Sequence, residues 1–419
     1  MPTLKSSIVA LCLGVVAFAN AAFAQKTSAV AAPRSIEALL RAHPDKFGKL
    51  LESPEAFRVQ VLLGEVRDGA RGPELVQSGW RVDAEYFYPA STVKLHASVA
   101  ALERLNELRR TSAPKADERT PLAFQPLFEG ESLDERDETN LAGGTITLEH
   151  LIRRVLIISE NPPFNRLYDV CGQAWLNERM WRAGMPGTRL THRLEISRTP
   201  EQNQRTNAFE WRLASGAIAV EARNNEKQQL ALEGVKGIEV GVAHMAGGKR
   251  VDKPMSFLRR SHAPLSELQT LVVRIARPDV QLPGEAFDLT DAQRALLLDA
   301  MSVFPANSPN PKYDRTKYPD DWVKWFLPGV GRVVPLERIK IYNKVGLAYG
   351  FVTDTSYIVD VETKRSFFLA ATIYVNANGV LNDGVYEYDD VAFPFFANLG
   401  EVVARELWSA PQPAPERSK

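Results

Sequence analysis

The sequence predicts an α+β fold, in which a mixed antiparallel sheet is assembled from both ends of the chain. Two strand-like segments near the start, 57–66 and 75–87, flank a Gly-rich turn. Three more near the end, 342–350, 352–361 and 366–375, are rich in the β-branched and apolar residues that strands favour. Mainly helical patterns lie between them, with no internal repeat. We therefore expect a sheet flanked by helices, an all-helical subdomain and an enlarged insertion.

Residues 1–24 have the three parts of a secretory signal. A lysine follows the start, residues 8–18 are an apolar run, and Ala-Phe-Ala at 22–24 provides a small-residue cleavage site. This pattern predicts cleavage near Ala24 and a periplasmic or secreted protein. Residues 25–34 are expected to form a linker. No later stretch reaches the roughly 18 apolar residues that a membrane span requires, so we expect no spanning helix.

Charge and cysteine content exclude several classes of function. Lys plus Arg and Asp plus Glu both total 51, without a basic block, so neither nucleic acid nor an anionic membrane is an expected partner. Cys171 is the one cysteine after cleavage, so no internal disulfide can form, and we expect a buried thiol. The six histidines include no pair at metal-ligand spacing, so we predict no metal and no cofactor. The expected oligomeric state is a monomer.

Helical periodicity and turn residues assign the remaining elements. Ser35 is expected to cap a first helix that Pro44 breaks. A helix over 91–108 should bury one apolar stripe. The members of that stripe are Leu95, Val99, Leu102 and Leu105. Further helices are predicted to begin at Thr147 and near Pro162.

The pattern predicts a single large domain over 35–408, with an insertion at about 207–335. Inside the insertion, 238–242 and 271–275 are possible strands. A helix is expected near 289–303, and a terminal helix over 395–408. Residues 409–419 are Pro-rich and predict a disordered tail.

The motif Ser-x-x-Lys at Ser91 and Lys94 combines a nucleophilic hydroxyl with an amine. Lys94 carries the only formal charge between positions 90 and 102, and a buried ammonium is costly unless partners or a lowered pKa compensate. The i, i+3 spacing puts the two side chains on one helix face. Ser91 also lies at the helix start, where developing negative charge is favoured. The alternative interpretation is a serine helix cap followed by a lysine that reaches solvent.

Two short motifs follow in a particular order. Ser-Glu-Asn at 159–161 lies at the junction of two predicted helices, and Lys-Val-Gly at 344–346 opens a predicted strand. Each alone is unspecific, since another Lys-x-Gly occurs at 46–48. Their order is that of Ser-x-x-Lys, Ser-Asp-Asn and Lys-Thr-Gly in class A β-lactamases and penicillin-binding proteins. The chain therefore resembles this serine hydrolase superfamily.

Other segments extend the resemblance. They are Phe87 before the first motif, Thr-Leu-x-x-Leu at 147–151, the omega-loop-like segment 188–195, and the closing strands with the terminal helix. Glu195 aligns with the family's general-base glutamate and lies 36 positions after Ser159, close to the family's spacing. The resemblance covers about 35–205 and 339–408. It implies a β-lactamase/transpeptidase-like fold.

The resemblance implies a role for each motif residue in acylation. Ser91 would attack a carbonyl and form an acyl-enzyme. Lys94, or Glu195 through a water, would take its proton, and which of them does so is disputed for the family. Ser159 would pass a proton to the leaving nitrogen. Asn161 would position Lys94 and the substrate amide.

The remaining implied roles concern binding and hydrolysis. Lys344 would supply positive potential for a substrate carboxylate, and Gly346 belongs to the same substrate-binding strand. The backbone N–H groups of Ser91 and Leu347 would form the oxyanion hole. Glu195 would activate the water that hydrolyses the acyl-enzyme.

Three positions depart from the family's pattern. Glu160 replaces the usual aspartate, which is a mild change. Val345 replaces a hydroxyl residue that helps to hold the substrate carboxylate, which weakens the case for ordinary penicillins. Thr199 lies where the family has an asparagine that shares the deacylating water with the glutamate, so slow deacylation is expected.

Three functions remain open from the sequence. The first is a class A-type β-lactamase that acts on a β-lactam or related cyclic amide. The second is a penicillin-binding-protein-like peptidase or esterase that acts on D-alanyl cell-wall peptides. The third is a catalytically silent relative that binds a ligand. Glu195 separates the first two, because a peptidase of this fold usually lacks it.

Two further features are interpreted structurally. His96 lies on a different helix face from Lys94 and is expected to be buried. An aromatic cluster precedes the Lys344 strand, and packing of the insertion is the favoured interpretation, with a substrate-binding lip as the alternative. Its members are Tyr313, Tyr318, Trp322, Trp325 and Phe326.

Overall fold

The computed structural model describes residues 35–224 and 230–409. The predicted signal, the linker and all but the first residue of the predicted tail lie outside these ranges. The helices are α1 (Ile36–Arg41), α2 (Pro44–Glu52), α3 (Val93–Thr111), α4 (Leu148–Ile157), α5 (Asn161–Cys171), α6 (Gln173–Arg182), α7 (Pro200–Gln204), α8 (Leu265–Ala276), α9 (Asp291–Ser302), α10 (Leu327–Val330) and α11 (Phe393–Trp408).

The strands fall into one large sheet and three small ones. They are β1 (Gln60–Gly69), β2 (Gly72–Trp80), β3 (Leu122–Phe124), β4 (Phe209–Leu213), β5 (Gly216–Val220), β6 (Glu239–Val240), β7 (Ala243–Ala246), β8 (Lys249–Val251), β9 (Met255–Ser256), β10 (Ile339–Ala348), β11 (Phe351–Asp360), β12 (Ser366–Tyr374) and β13 (Val380–Leu381).

The large sheet joins the two ends of the chain. Its order is β10-β11-β12-β1-β2, and every neighbouring pair is antiparallel. The register that closes it pairs Gln60 of β1 with Thr372 of β12. The predicted α+β class and the sheet built from both termini are therefore confirmed. Strand β2 ends at Trp80, earlier than predicted, where Arg81 and Asp83 take positive φ angles that extended backbone does not allow.

Helices cover both faces of this sheet, which explains why its central strands are buried on both sides. One face packs on α11, where Phe396, Leu399 and Val403 meet Leu369 of β12. The other face packs on α8, and Gln269 donates a hydrogen bond to the Leu62 carbonyl at 2.9 Å. Each fully buried apolar side chain, such as Leu399 or Val403, stabilises the fold by about 1.5–3 kcal/mol relative to an exposed one.

The helical subdomain is centred on α3. The predicted stripe is buried as expected, with Val99, Leu102 and Leu105 fully enclosed. The helix is buried all round in its first half, however, because α4, α5 and α6 pack on its other faces. His96 is among these buried residues, which confirms its predicted burial. Cys171 is a buried free thiol, also as predicted.

The insertion differs from its predicted content. The segment 271–275 is not a strand but lies within α8, so that prediction is wrong. Leu268, Leu271, Val272 and Ile275 repeat with the helical period and are all buried, whereas the predicted five-residue window was too short to show that period. The expected helix near 289–303 is confirmed as α9. Both helices add buried side chains to the core around α3.

Among the described residues no helix has both the length and the apolar character needed to cross a membrane.

Candidate active site

Ser91 lies in a short 3₁₀ turn, Ala90–Thr92, that leads into α3. Ala90 has a φ of 45°, a left-handed conformation that costs energy for a residue with a Cβ. The Thr92 hydroxyl donates to the Pro89 carbonyl at 2.8 Å and fastens the turn. The Ser91 side chain is half-buried and does not cap α3. Its Oγ instead accepts a hydrogen bond from Lys94 Nζ at 2.8 Å, so the helix-cap interpretation is wrong.

Lys94 is fully buried, with 0% of its surface exposed, so it does not reach solvent. Its Nζ donates to Ser91 Oγ, to the Ser159 carbonyl, and to Ser159 Oγ at 3.2 Å. Burial lowers the Lys94 pKa to about 7, and the charges of Glu195 and Glu160 partly offset this shift. A substantial share of the side chain is therefore a neutral amine near pH 7, able to accept a proton from Ser91.

Ser159 lies between two lysines. Its Oγ accepts hydrogen bonds from Lys94 Nζ at 3.2 Å and from Lys344 Nζ at 2.7 Å. Its φ of 67° is another left-handed conformation, and strained backbone of this kind is concentrated at functional sites. Lys344 is 2% exposed, and burial followed by the nearby Lys94 charge holds its pKa well below the usual range. The structure therefore brings the three motifs together.

Asn161 begins α5, two positions after Ser159, and Pro162 occupies the first helical turn as expected. The Asn161 side chain is half-buried. Within residues 35–224 and 230–409 it makes no hydrogen bond with Lys94, so its role in positioning that lysine stays a prediction.

Strand β10 is the sheet edge that faces the Ser91 turn. A Cβ built on Gly346 would lie 2.1 Å from the Pro89 carbonyl oxygen, so only glycine lets β10 approach the turn this closely. Leu347 follows with 38% of its surface exposed. Leu347 therefore directly follows Gly346, the residue that makes the closest approach of the strand to the Ser91 turn. The part of the Leu347 N–H in an oxyanion hole stays a prediction.

Glu195 reaches the site from a loop that two buried side chains hold. Asn165 of α5 clamps Leu194, accepting from its N–H at 2.9 Å and donating to its carbonyl at 3.0 Å. Arg193 forms an ion pair with Asp169, and both side chains are almost fully buried. Glu195 itself has a φ of 62° and an exposed side chain. Of the two carboxylate charges that raise the Lys94 pKa against the effect of burial, that of Glu195 is the larger. The two groups are therefore within electrostatic reach.

The departures from the family pattern have structural explanations. Thr199 caps α7 in a reciprocal pair with Gln202, because its hydroxyl accepts from the Gln202 N–H and its own N–H donates to Gln202 Oε1. Glu160 points to an ion pair with Arg154 and accepts from the Tyr313 hydroxyl. The Val345 side chain is buried.

The contact from Tyr313 brings the aromatic cluster beside the Ser159 loop. Tyr313 and Tyr318 meet edge to face, as do Tyr318 and Trp322. The two tyrosines pack against the core, in keeping with the favoured interpretation, while Trp322 stays 44% exposed.

Sequence reasoning missed a buried network behind Lys344. Lys324 Nζ donates to the Met301 carbonyl and to Asn343 Oδ1, and Asn343 donates in turn to Asp354. Burial lowers the Lys324 pKa to about 7 and raises the Asp354 pKa to about 6. Asn343 adjoins Lys344 in the sequence, but nothing in a single sequence connects it with Lys324 or Asp354. Asn165 was missed for the same reason.

Residues 77–231 match the model of the β-lactamase enzyme family. That segment is similar to the β-lactamase enzyme family. It contains Ser91, Lys94 and Ser159, along with Asn161 and Glu195. The resemblance inferred from the motifs is therefore confirmed, and so is the prediction of a serine hydrolase-like enzyme at the level of the family. No curated protein matches the chain significantly.

Solved structures are similar to this chain over most of its length. PBP-A has a TM-score of 0.50 at 14% identity, covering 90% of this chain and 99% of its own. A β-lactamase from Desulfarculus baarsii DSM 2075 has a TM-score of 0.48 at 18% identity, covering 88% and 99%. A β-lactamase from Streptosporangium roseum has a TM-score of 0.47 at 15% identity, with the same coverage. At such identities the likeness to PBP-A shows the fold alone.

Proposed function

We propose that this chain is an exported serine hydrolase of the class A β-lactamase type, which acylates Ser91 and hydrolyses the acyl-enzyme of a β-lactam or related cyclic amide. The hydrogen bond from buried Lys94 to Ser91 carries this proposal. A ligand-binding protein has no need of a desolvated amine beside a serine hydroxyl, since that arrangement is costly to bury. The catalytically silent alternative therefore has less support.

In the acylation step, neutral Lys94 accepts the proton of Ser91 as Oγ attacks the carbonyl carbon. The oxyanion that forms is stabilised by the N–H groups of Ser91 and Leu347, each worth about 3–4 kcal/mol in comparable sites. The C–N bond then breaks, and the nitrogen takes the Ser159 hydroxyl proton. Lys94 Nζ, now protonated, is within hydrogen-bond distance to restore it.

Lys344 donates a hydrogen bond to Ser159, and a substrate carboxylate on the leaving side would favour the charged form of this lysine and pair with it. Val345 offers no hydroxyl there, so Lys344 carries this interaction without the partner found in the family. Substrate selection on the leaving side is therefore mainly electrostatic.

Hydrolysis of the ester needs a base. Glu195 takes a proton from a water molecule, the resulting hydroxide attacks the ester carbonyl, and Ser91 leaves with a proton returned to its Oγ. Thr199 is committed to capping α7, so the water has fewer fixed partners than in the family. We therefore propose slow deacylation.

A penicillin-binding-protein-like peptidase or esterase, acting on D-alanyl peptide-like substrates, is the second candidate. The exposed Glu195 side chain and the capping role of Thr199 favour it, because both weaken the hydrolytic half of a lactamase. This candidate uses the same Ser91 chemistry.

Mass spectrometry of the purified mature protein, incubated with a penicillin and a cephalosporin, tests both. A transient adduct on Ser91 with turnover supports the lactamase, and a persistent adduct supports the second candidate. Ser91→Ala should form no adduct, whereas Ser98→Ala, a control on the same helix, should behave like the native protein. No adduct with any lactam, together with unchanged behaviour of Ser91→Ala, overturns both.

Export and oligomeric state belong to the same proposal. The signal-like residues 1–24 support a periplasmic or secreted location. We also propose a monomer, since the sequence predicts no protein partner. N-terminal sequencing of the secreted protein should begin near Gln25. Recovery of an uncleaved cytoplasmic protein would contradict export.

A further inference from the structure

The direction of the acyl group follows from strand β10, if Ser91 is acylated as proposed. Lys344 marks the leaving-group side, because it donates to Ser159. Gly346 then passes the Ser91 turn, and Tyr349 follows just beyond the strand. The substituents of the acyl carbon point away from the leaving group, so they extend toward Tyr349.

A cavity of about 730 Å³ lies at that end. Tyr349 and Tyr88 line it, with their ring centroids 5.5 Å apart, and Tyr88 comes three positions before Ser91. Glu195 and its loop line the cavity as well. The insertion contributes Leu230, Ala231, Glu233, Leu258, Arg259 and Arg260. The space is thus bordered by the proposed hydrolytic base and by Tyr88, which is close in sequence to the nucleophile turn, and it is large enough for a substrate side chain.

The charges around this cavity are unbalanced. Arg193 is neutralised by Asp169, and two carboxylates, Glu195 and Glu233, line the cavity. Arg259 and Arg260 also line the cavity. In the described ranges, neither of these two arginines has a carboxylate oxygen within 4.0 Å.

Neighbouring groups compensate this positive charge only in part, through Glu195 and Glu233 of the wall and the charge of Glu201, which acts on Arg259. Arg198 adds another cation and lies over the Phe128 ring at 4.0 Å. His192 is buried against Tyr88, and burial lowers its pKa to about 4, with the Arg260 charge lowering it further. The His192 imidazole is therefore neutral and adds no charge to the wall. Three arginines that form no ion pair within the described part of the chain, Arg198, Arg259 and Arg260, thus line the cavity with two carboxylates, Glu195 and Glu233, and a substrate carboxylate can supply the remaining negative charge.

We propose that this cavity is the acyl-side subsite and that Arg259 and Arg260 select a substrate whose acyl side chain carries a carboxylate. The insertion thereby acquires a role in specificity. The proposal rests on acylation of Ser91, and it names the substrate class as amides with an anionic acyl substituent. Guanidinium groups bind carboxylates through strong, charge-assisted hydrogen bonds.

Two matched pairs of penicillins test the proposal. Benzylpenicillin and carbenicillin differ by one carboxylate close to the side-chain amide, and hexanoyl and adipyl penicillin differ by one at the end of a longer chain. The second-order rate of Ser91 acylation is measured by mass spectrometry for all four. We expect the anionic member of at least one pair to react about tenfold faster or more, a factor typical of one charged hydrogen bond.

The double variant Arg259→Gln/Arg260→Gln should lose that preference while the neutral penicillins react as before. Arg250→Gln is the control, because Arg250 belongs to the same insertion but pairs with Asp252 and does not line the cavity. Added salt should reduce the native preference. Equal rates within both pairs, or a preference that survives the double variant, overturn the inference while leaving the proposed function intact. Failure of all four penicillins to acylate Ser91 instead refutes the proposed function.

Discussion

The candidate site has two halves of different construction. The acylation half, defined by Ser91, Lys94, Ser159 and Lys344, is a chain of hydrogen bonds with both lysines buried. The hydrolysis half is defined by Glu195 and its loop. Buried partners hold Arg193 and Leu194 of this loop, but the Glu195 carboxylate is exposed.

The difference follows from what each half must hold. Two lysines can share one small site because burial lowers both pKa values and the Lys94 charge lowers that of Lys344 further. Glu195 stays outside this packing, and its neighbour Leu194 is held by the clamp from Asn165. On the proposed mechanism, the site is therefore better prepared to form an acyl-enzyme than to hydrolyse it.

The largest expected effect comes from Lys94→Met, which removes the base and keeps the volume. Ser91 acylation should fall by about 10³-fold, the usual scale for a positioned general base. In the native protein the active form is the neutral amine, so acylation should rise with pH through a midpoint near 7. Rates from pH 5.5 to 8.5 check this. A variant that keeps the same midpoint would show that another group is the base.

The second effect is that of Glu195→Gln on hydrolysis. Deacylation should slow by about 10²-fold or more, and acylation by less than tenfold, because the lost group is the base for water. Single-turnover mass spectrometry separates the two steps. Glu201→Gln is the control, since Glu201 is an exposed carboxylate of the adjoining α7. Equal slowing of both steps would remove Glu195 from its assigned role.

The third effect tests the clamp with a matched pair of buried asparagines. Asn165→Leu breaks both bonds to Leu194, and Asn177→Leu breaks the equivalent two bonds to Leu190 of the same loop. Each should lower the free energy of unfolding by about 1–3 kcal/mol.

Only Asn165→Leu should also slow deacylation, by about tenfold, because only Leu194 adjoins Glu195. Thermal unfolding and single-turnover rates measure the two consequences separately. If both variants slow deacylation alike, the clamp acts through general stability and has no special link to Glu195.

The smallest effect should be a gain of function. Thr199→Asn keeps a residue that caps α7 well and adds an amide where the family shares its deacylating water. Deacylation should become a few times faster, while Thr199→Ser, which keeps the cap without the amide, should match the native rate. No change in the asparagine variant would mean that position 199 is too far from Glu195 to hold the water.

The sequence by itself determined the fold class and the catalytic candidates. Runs of β-branched and apolar residues located the closing strands. Helical periodicity located α3 and α11, because burial of a helix face leaves a repeating pattern of apolar residues. The order of three motifs indicated the superfamily, and their residues meet at Ser159 in the structure. The wrong prediction concerned a short segment, 271–275. Five apolar residues cannot distinguish a buried strand from a buried helix.

Only the tertiary structure decided which long-range partners complete the site. Asn165, the network of Lys324, Asn343 and Asp354, and the wall of Arg259 and Arg260 come from elements far apart in the chain. Hydrogen bonds and charge interactions depend on distance and burial, and neither can be computed from the spacing of residues along one sequence. Ser91 was identifiable as a candidate nucleophile from its neighbours in sequence. The lowered pKa of Lys94, its proposed base, and the charges around the neighbouring cavity required the fold.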